Sequence, residues 1–172
     1  MDFPQAVRTG IEIVKLRRPA YQRVAQLPEA FSQAVLITLL VGIAQWLAPP
    51  GFHLLGIIVG PLMALLALLV GSAVIHFVAV LFGGRGEYLT LARVWGVGWV
   101  LGWALVIPVL GSLIFLWELV VAVVAVEEVY GLERTRAILT VLIPLAALLL
   151  LGFIMVVNFA LIGGLVTWSA IF

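Results

Sequence analysis

The chain has 172 residues, of which 65% are hydrophobic and only 10% are charged, with a formal net charge of +1 and no cysteine. Soluble domains contain about half apolar and about a quarter charged residues. This chain therefore has too little polar surface for a water-soluble globule and must be solvated by lipid. The absence of cysteine excludes disulfides and thiolate metal sites.

Residues 1–29 predict a cytoplasmic or interfacial segment ahead of the membrane domain. Four apolar residues recur there at helical spacing beside basic side chains: Phe3, Val7, Ile11 and Val14. This is the pattern of a short amphipathic helix that lies in the membrane interface and contacts anionic lipid headgroups. A helix packed against the cytoplasmic ends of the bundle fits the same pattern. A signal peptide is not expected, because the first long apolar run begins only near Ala30.

Residues 30–172 predict an all-α, polytopic membrane domain of about five transmembrane helices. Each span needs about 20 mostly apolar residues, because a helix rises about 1.5 Å per residue and the hydrocarbon core is about 30 Å thick. The predicted spans cover roughly residues 30–48, 54–82, 91–107, 112–126 and 137–157. Pro61 is expected to kink or tilt the long second span. Pro108 to Ser112 predict a tight turn, and an interfacial tail is expected from Asn158.

The basic residues predict the orientation. All nine precede the first span or fall at the second-to-third and fourth-to-fifth connections: Arg8, Lys15, Arg17, Arg18, Arg23, Arg85, Arg93, Arg134 and Arg136. Five alternating spans put them all on one side, and the basic side of a membrane protein is cytoplasmic. We therefore expect a cytoplasmic N-terminus, an outside C-terminus and a multi-pass protein of the cell (inner or plasma) membrane.

Several short stretches follow one another over residues 17–158: Arg18-Pro19 with Tyr21 and Leu27-Pro28, Ile75–Phe77 with Leu81–Gly86, Tyr88–Leu91, Ile107-Pro108 with Gly111, and Glu127–Leu132 with Arg136-Ala137. In this order and spacing they resemble the Yip1-domain family in its short bacterial form. The resemblance implies a five-helix membrane fold with a cytoplasmic N-terminus. Eukaryotic relatives, linked to vesicle traffic and Rab-type GTPases, carry an Asp-Leu-Tyr-Gly-Pro motif. This chain lacks it, so Rab binding is not carried over.

Two ionisable residues lie inside predicted spans, where a charge costs roughly 3 kcal/mol and usually faces a partner or a cavity. Counted from the cytoplasmic side, Glu118 is about 13 Å deep and His76 about 10 Å deep at helical rise. We predict that they approach each other in an intramembrane polar site walled by Trp99. A proton or cation site and a hydrogen-bonded contact between helices both stay open. A metal site is not expected, because His53, the only other imidazole, belongs to the opposite surface.

Aromatic and small residues recur along the predicted spans. Trp95, Trp99 and Trp103 follow one another every fourth position, which indicates packing bulk or a groove for a lipid chain. Two small-residue pairs, Gly56 with Gly60 and Gly98 with Gly102, predict close helix packing and only weakly dimerisation.

Charged residues near the predicted cytoplasmic loops form a candidate docking patch: Arg85, Glu127, Glu128, Glu133 and Arg134. A solvated loop explains the same residues. Neither interpretation involves nucleic acid.

The sequence contains no constellation typical of an enzyme. It has no HExxH, no nucleophile elbow and no phosphate loop, since the glycine-rich stretch 83–86 lacks the following Lys-Ser/Thr. We expect a non-enzymatic protein without a cofactor that organises membrane or protein contacts, with a membrane-protein partner or a second copy. The alternative is a small transporter, channel or lipid-moving protein with a polar site around Glu118 and His76. Sparse polar residues in the spans favour the first hypothesis.

Overall fold

The computed structural model describes residues 1–47 and 55–169, and within these ranges the chain is helical and has no strand. The predicted all-α class is thereby confirmed. The helices are α1 Phe3–Val14, α2 Arg18–Ala25, α3 Ala30–Leu47, α4 Gly56–Leu81, α5 Tyr88–Gly98, a 3-10 helix Trp99–Val106, α6 Pro108–Tyr130 and α7 Arg134–Ser169. The chain divides into two compact units, Met1–Val141 and Leu142–Phe172.

Length and hydropathy alone identify two helices that could cross a membrane, Gly56–Leu81 and Arg134–Ala160. The number of candidate spans rises to three if Arg18–Ala25 and Ala30–Trp46 together form one broken span. These two helices are bent by 113° at the break between them. The chain is therefore a membrane protein with helices of spanning length. The five-span topology stays a prediction, as do the sidedness of the termini and the outer-loop position of His53, which lies outside the described residues.

The N-terminal residues form the predicted amphipathic helix. Asp2 and Gln5 make a capping box at the start of α1, where the Asp2 carboxylate accepts from the Gln5 backbone N–H at 2.8 Å. The face that carries Gly10 and Ile13 is buried. A methyl group at Gly10 would lie 2.5 Å from the Val97 carbonyl oxygen, so α1 is in close contact with α5. The helix thus packs on the other helices of its unit, and its contact with lipid headgroups stays a prediction.

Side chains from two other helices satisfy the carbonyls at the end of α1. The last carbonyls of a helix have no partner within it and must find one elsewhere when they are enclosed. The Tyr21 hydroxyl donates to the Ile13 carbonyl at 2.8 Å, and the Trp117 indole N–H donates to the Val14 carbonyl at 2.9 Å. These two bonds fix the end of α1 against α2 and against the middle of α6.

Helices α3 and α4 approach each other through glycine. A methyl group at Gly42 would lie 2.6 Å from the Gly60 carbonyl oxygen, and one at Gly56 would lie 2.6 Å from Cε3 of Trp46. Pro61 is buried inside α4, which continues through it to Leu81. The contact lets α3 and α4 wall a common cavity.

The central element of the first unit is α5, whose residues from Leu91 to Gly98 are buried apart from a partly exposed Trp95. It packs against α1, α2, α3, α4 and α6. After Gly98 the chain tightens into the eight-residue 3-10 helix, an unusual length because runs beyond three or four residues are uncommon. This change of helical period decides which side chains reach the cavity.

The ends of the last helices differ from the predicted spans at three places, and the prediction of a turn after Ile107 is wrong. No separate turn covers Pro108 to Ser112, because α6 begins at Pro108 itself. Proline is favoured at the first position of a helix, since the backbone N–H that it lacks would have no partner within the helix. The predicted tail after Asn158 is helical, because α7 continues to Ser169 and the Asn158 side chain donates to the Ile154 carbonyl four residues back, and the interfacial position of the tail stays a prediction. The polar stretch 127–136 is mostly helical, and only residues 131–133 connect α6 to α7.

Candidate functional site

A cavity of about 320 Å³ lies between α3, α4, the 3-10 helix and α6. Its lining includes two indoles, one carboxylate, one amide and a thioether: Trp46, Trp99, Glu118, Gln45 and Met63. The structure thus brings Glu118 and Trp99, two residues of the predicted polar site, to the same cavity.

The 3-10 helix explains why Trp99 lines this cavity. Residues three apart share a face of a 3-10 helix, and Trp99 and Gly102 both line the cavity. Residues four apart diverge, so the predicted stripe of three tryptophans is interrupted. Trp95 packs edge-on against Trp99, with ring centroids 6.0 Å apart, whereas Trp103 is exposed.

Glu118 has no hydrogen-bond or ion-pair partner among the side chains described in residues 1–47 and 55–160. An ionisable group inside a membrane helix usually faces a partner or a cavity. Glu118 faces the cavity, and the lining residues that the structure describes include no lysine, arginine or histidine. The site is therefore acidic and otherwise largely apolar.

His76 does not line this cavity, so the predicted approach of His76 to Glu118 is wrong. His76 Nδ1 lies 2.7 Å from the hydroxyl of Tyr130, and its ring lies edge-on to Tyr88. The predicted depth of Glu118 was counted from Glu127, whereas α6 continues to Tyr130. Tyr130, the partner of His76, lies 12 residues after Glu118 and so about 18 Å along the helix.

A charged cluster joins α2 to the junction of α6 and α7. Arg18 Nη2 donates to Glu127 at 2.7 Å, Nη1 donates to Glu128, and Gln22 donates to Glu128 at 2.9 Å. Arg134 donates to Glu127 at 3.2 Å. The hydrogen bond to Glu128 and the charges of both carboxylates raise the pKa of Arg18 above its ordinary value. Arg18 is thus a permanent cation in this cluster.

The candidate docking patch separates into supporting and exposed residues. The side chains of Glu127 and Glu128 are only 6% and 9% exposed, and both are bonded to Arg18. Arg85, Glu133 and Arg134 are exposed. The sequence placed Arg18 only among the basic residues that flank the first span, because nothing local pairs it with carboxylates 109 and 110 positions away.

The exposed charges lie on two loops that touch each other and on the first residue of α7. The Arg85 backbone N–H donates to the Tyr130 carbonyl at 3.3 Å, and Arg136 donates to the Phe82 carbonyl at 3.4 Å. A methyl group at Gly86 would lie 2.5 Å from the Val129 carbonyl oxygen. Gly131 ends α6 with φ of +64°, a conformation that favours glycine. The loop 83–87 and the loop 131–133 thus form one surface, called here the loop surface.

Arg93 is a functional candidate that sequence reasoning counted only as a topology marker. It is buried, and its guanidinium donates to the Ala25 carbonyl at 3.1 Å and to the Thr90 hydroxyl at 2.9 Å. The carbonyl end of a helix favours a cation, and Ala25 ends α2. Arg93 therefore holds α2 on α5. In the sequence, only the three-residue spacing of Thr90 and Arg93, which places both on one face of a helix, indicated part of this contact.

Two of the four predicted packing glycines face the same neighbour, and two do not. Gly56 and Gly60 both lie against Trp46. Gly98 faces Ile13 of α1, whereas Gly102 faces Val41 of α3, because the helical period changes between them.

Basic side chains of α1 and α2 line a second cavity of about 470 Å³. Arg8 and Arg23 share its lining with Glu12 and Glu29, and Arg23 lies 3.6 Å from Glu12. Within the described ranges, no three His, Asp or Glu side chains come together in a way that could hold a metal ion.

An all-helical chain whose helices are long and apolar enough to cross a bilayer is an integral membrane protein of the α-helical class. The chain belongs to the Yip1 domain family, whose domain matches residues 15–156. Comparisons with curated proteins and with solved structures found no match.

Proposed function

We propose that this Yip1-family protein is a non-enzymatic, multi-pass membrane adaptor that organises protein contacts through the loop surface. The observation that carries the proposal is the bond between the Arg85 backbone and the Tyr130 carbonyl, which joins the two loops. Arg85, Glu133 and Arg134 are exposed beside it, and the buried Glu127 accepts a hydrogen bond from Arg134. A fixed frame with exposed charges of both signs suits recognition by a charged partner.

The topology proposed with this function has five spans and a cytoplasmic N-terminus in the cell membrane. The two loops contact each other, so the chain between them must return to the side it left. This supports an even number of membrane crossings between the two loops, with one crossing by α5 and its 3-10 helix and one by α6. The bonds from Arg18 to Glu127 and Glu128 likewise support an N-terminal segment on the same side as the loops.

Site-specific photocrosslinking in native membranes tests the adaptor role. A photoreactive amino acid at Glu133 is expected to give one discrete adduct with a protein partner. The variant R85E, which reverses an exposed charge of the loop surface, is expected to abolish that adduct. The same probe at the exposed Phe153 of α7 serves as the matched control position. A Glu133 adduct pattern that matches the Phe153 pattern, or that survives the charge reversal at Arg85, would contradict the proposal.

The Glu118 cavity favours a second candidate function, a small transporter or a lipid-moving protein. Liposomes that contain the purified protein would show solute flux or lipid scrambling that Glu118→Gln reduces. The separation of His76 from the cavity argues against a continuous polar path and places this candidate second.

A further inference from the structure

We propose that the Glu118 cavity binds an organic ammonium cation, that is, a positively charged nitrogen carrying apolar groups. The proposal goes beyond the adaptor role and does not depend on it, because the cavity is lined by none of the loop-surface residues. Glu118 supplies one carboxylate, and none of the described lining residues supplies a cation to neutralise it. A cationic ligand complements this charge in surroundings that screen it less than water does.

The aromatic residues of the cavity select the kind of cation. A cation within about 6 Å of an indole ring is attracted by the negative face of the ring, and quaternary ammonium groups are often bound this way. Trp46 and Trp99 both line the cavity. Trp46 is held in place by α4, since a methyl group at Gly56 would lie 2.6 Å from its ring.

The remaining lining excludes the other common ligands. Calcium and magnesium ions require six or more oxygen ligands, and among the described lining residues only Glu118 and Gln45 have side-chain oxygens. Phosphate and other anions would meet the Glu118 carboxylate and no positively charged side chain among the described lining residues. The thioether of Met63 and the alanines of α4 suit methyl and alkyl groups. The volume of about 320 Å³ is at the small end of ligand pockets, which span roughly 300–1,000 Å³.

Isothermal titration calorimetry on the detergent-purified protein tests the proposal. The probes are choline, butyltrimethylammonium and 3,3-dimethyl-1-butanol, the neutral isostere of choline. We expect saturable binding of the two cations and none of the isostere. Glu118→Gln is expected to weaken cation binding about tenfold or more, since it removes the charge of the site. Glu133→Gln, at an exposed carboxylate outside the cavity, is the matched control and should leave binding unchanged.

Two further variants keep the test decisive if Glu118→Gln does not fold. Glu118→Asp retains the charge and should retain cation binding. Trp46→Leu leaves the carboxylate in place but removes an indole ring, so it should weaken cation binding. The absence of saturable binding, equal binding by the neutral isostere, or full affinity in Glu118→Gln would overturn the proposal.

The cation has two sources, a lipid headgroup or a free solute, and nanodiscs distinguish them. Butyltrimethylammonium is titrated into nanodiscs of phosphatidylglycerol alone and into nanodiscs that also contain phosphatidylcholine. Weaker apparent affinity in the second set identifies the headgroup as the ligand, because it competes for the cavity. Equal affinity in both identifies the free cation.

Discussion

His76 of α4 and Tyr130 at the end of α6 share a hydrogen bond of 2.7 Å between Nδ1 and the phenolic oxygen, although they lie 54 positions apart in the chain. Gly84 lies against the same tyrosine, since a methyl group there would be 2.9 Å from Tyr130 Cβ. One side chain therefore joins the interior of α4 to the loop surface. His76 thus supports the surface rather than the Glu118 cavity.

Tyr130→Phe is expected to destabilise the protein by about 1 kcal/mol, the usual net value of one hydrogen bond. The phenyl ring keeps its contacts with the loop, so the change reports the hydroxyl alone. The measurement is the free energy of unfolding from an SDS titration followed by tryptophan fluorescence. A double-mutant cycle with His76→Leu should show a coupling of about 1 kcal/mol. As a control, the effects of His76→Leu and Tyr21→Phe on the free energy of unfolding should be additive. Additive effects of His76→Leu and Tyr130→Phe would show that the bond between them contributes nothing.

The sequence predicted the helical class because composition and hydropathy report solvation by lipid, which does not depend on details of packing. It also predicted α1 and the ends of α4 to within a few residues. It could not predict the 3-10 helix after Gly98, because Trp99 to Val106 are apolar residues that suit an α-helix equally well. That change of period decides that Trp99 faces the cavity while Trp103 does not.

The glycine contact between α3 and α4 should resist any added volume. Gly42→Ala would place a methyl group 2.6 Å from the Gly60 carbonyl oxygen, which must then move. Overpacking of this kind typically costs about 1–3 kcal/mol, and the same SDS titration measures it.

Gly152→Ala is the matched control for this prediction. Gly152 lies in α7 with nothing within 4 Å of an added methyl group. Alanine is also the better helix former, by up to about 1 kcal/mol. The control should therefore be neutral or stabilising. A Gly42→Ala protein as stable as the Gly152→Ala protein would show that α3 and α4 are not in contact through Gly42.

Glu127 is expected to be the most sensitive residue of the charged cluster. Its side chain is 6% exposed and accepts hydrogen bonds from both Arg18 and Arg134. Hydrogen bonds to charged groups contribute roughly 1.5–3 kcal/mol, so Glu127→Ala should cost about 2 kcal/mol or more. Glu133→Ala removes an exposed carboxylate from the neighbouring loop and should stay within about 0.5 kcal/mol of the native protein. Equal effects of the two substitutions would contradict the structural role of Glu127.

The candidate sites were predictable only where one residue carried the signal. Glu118 stood out because a carboxylate inside an apolar helix is rare, and the structure does place it at a cavity. The partners of Glu127 could not be predicted, since Arg18 reaches it only after α2 packs against α6. For the same reason the sequence grouped Glu127 and Glu128 with the exposed residues, although their contacts bury them.

Single-cysteine labelling can test the five-span topology without background, because the chain contains no cysteine. Cysteines at the exposed positions Leu55, Ile107, Arg85 and Glu133 are treated with a membrane-impermeant maleimide in intact cells. The proposed topology predicts labelling from outside at Leu55 and Ile107. Arg85 and Glu133 should react only after the membrane is permeabilised. Labelling of Glu133 in intact cells would reverse the proposed orientation.

Ile107 is the decisive position, because its accessibility from outside distinguishes two arrangements of α5 and α6. The Val14 carbonyl is bonded to Trp117, ten positions before Glu127 and so about 15 Å along α6. If α6 crosses the bilayer, the end of α1 with Lys15 lies beside the middle of that span, where a cation is costly. A hairpin of α5 and α6 that returns without crossing would avoid this cost. The five-span topology requires that the Ile107 cysteine react from outside at a rate similar to the Leu55 cysteine. If the Leu55 cysteine reacts in intact cells and the Ile107 cysteine does not, the five-span topology is wrong and α5 and α6 form the hairpin that does not cross.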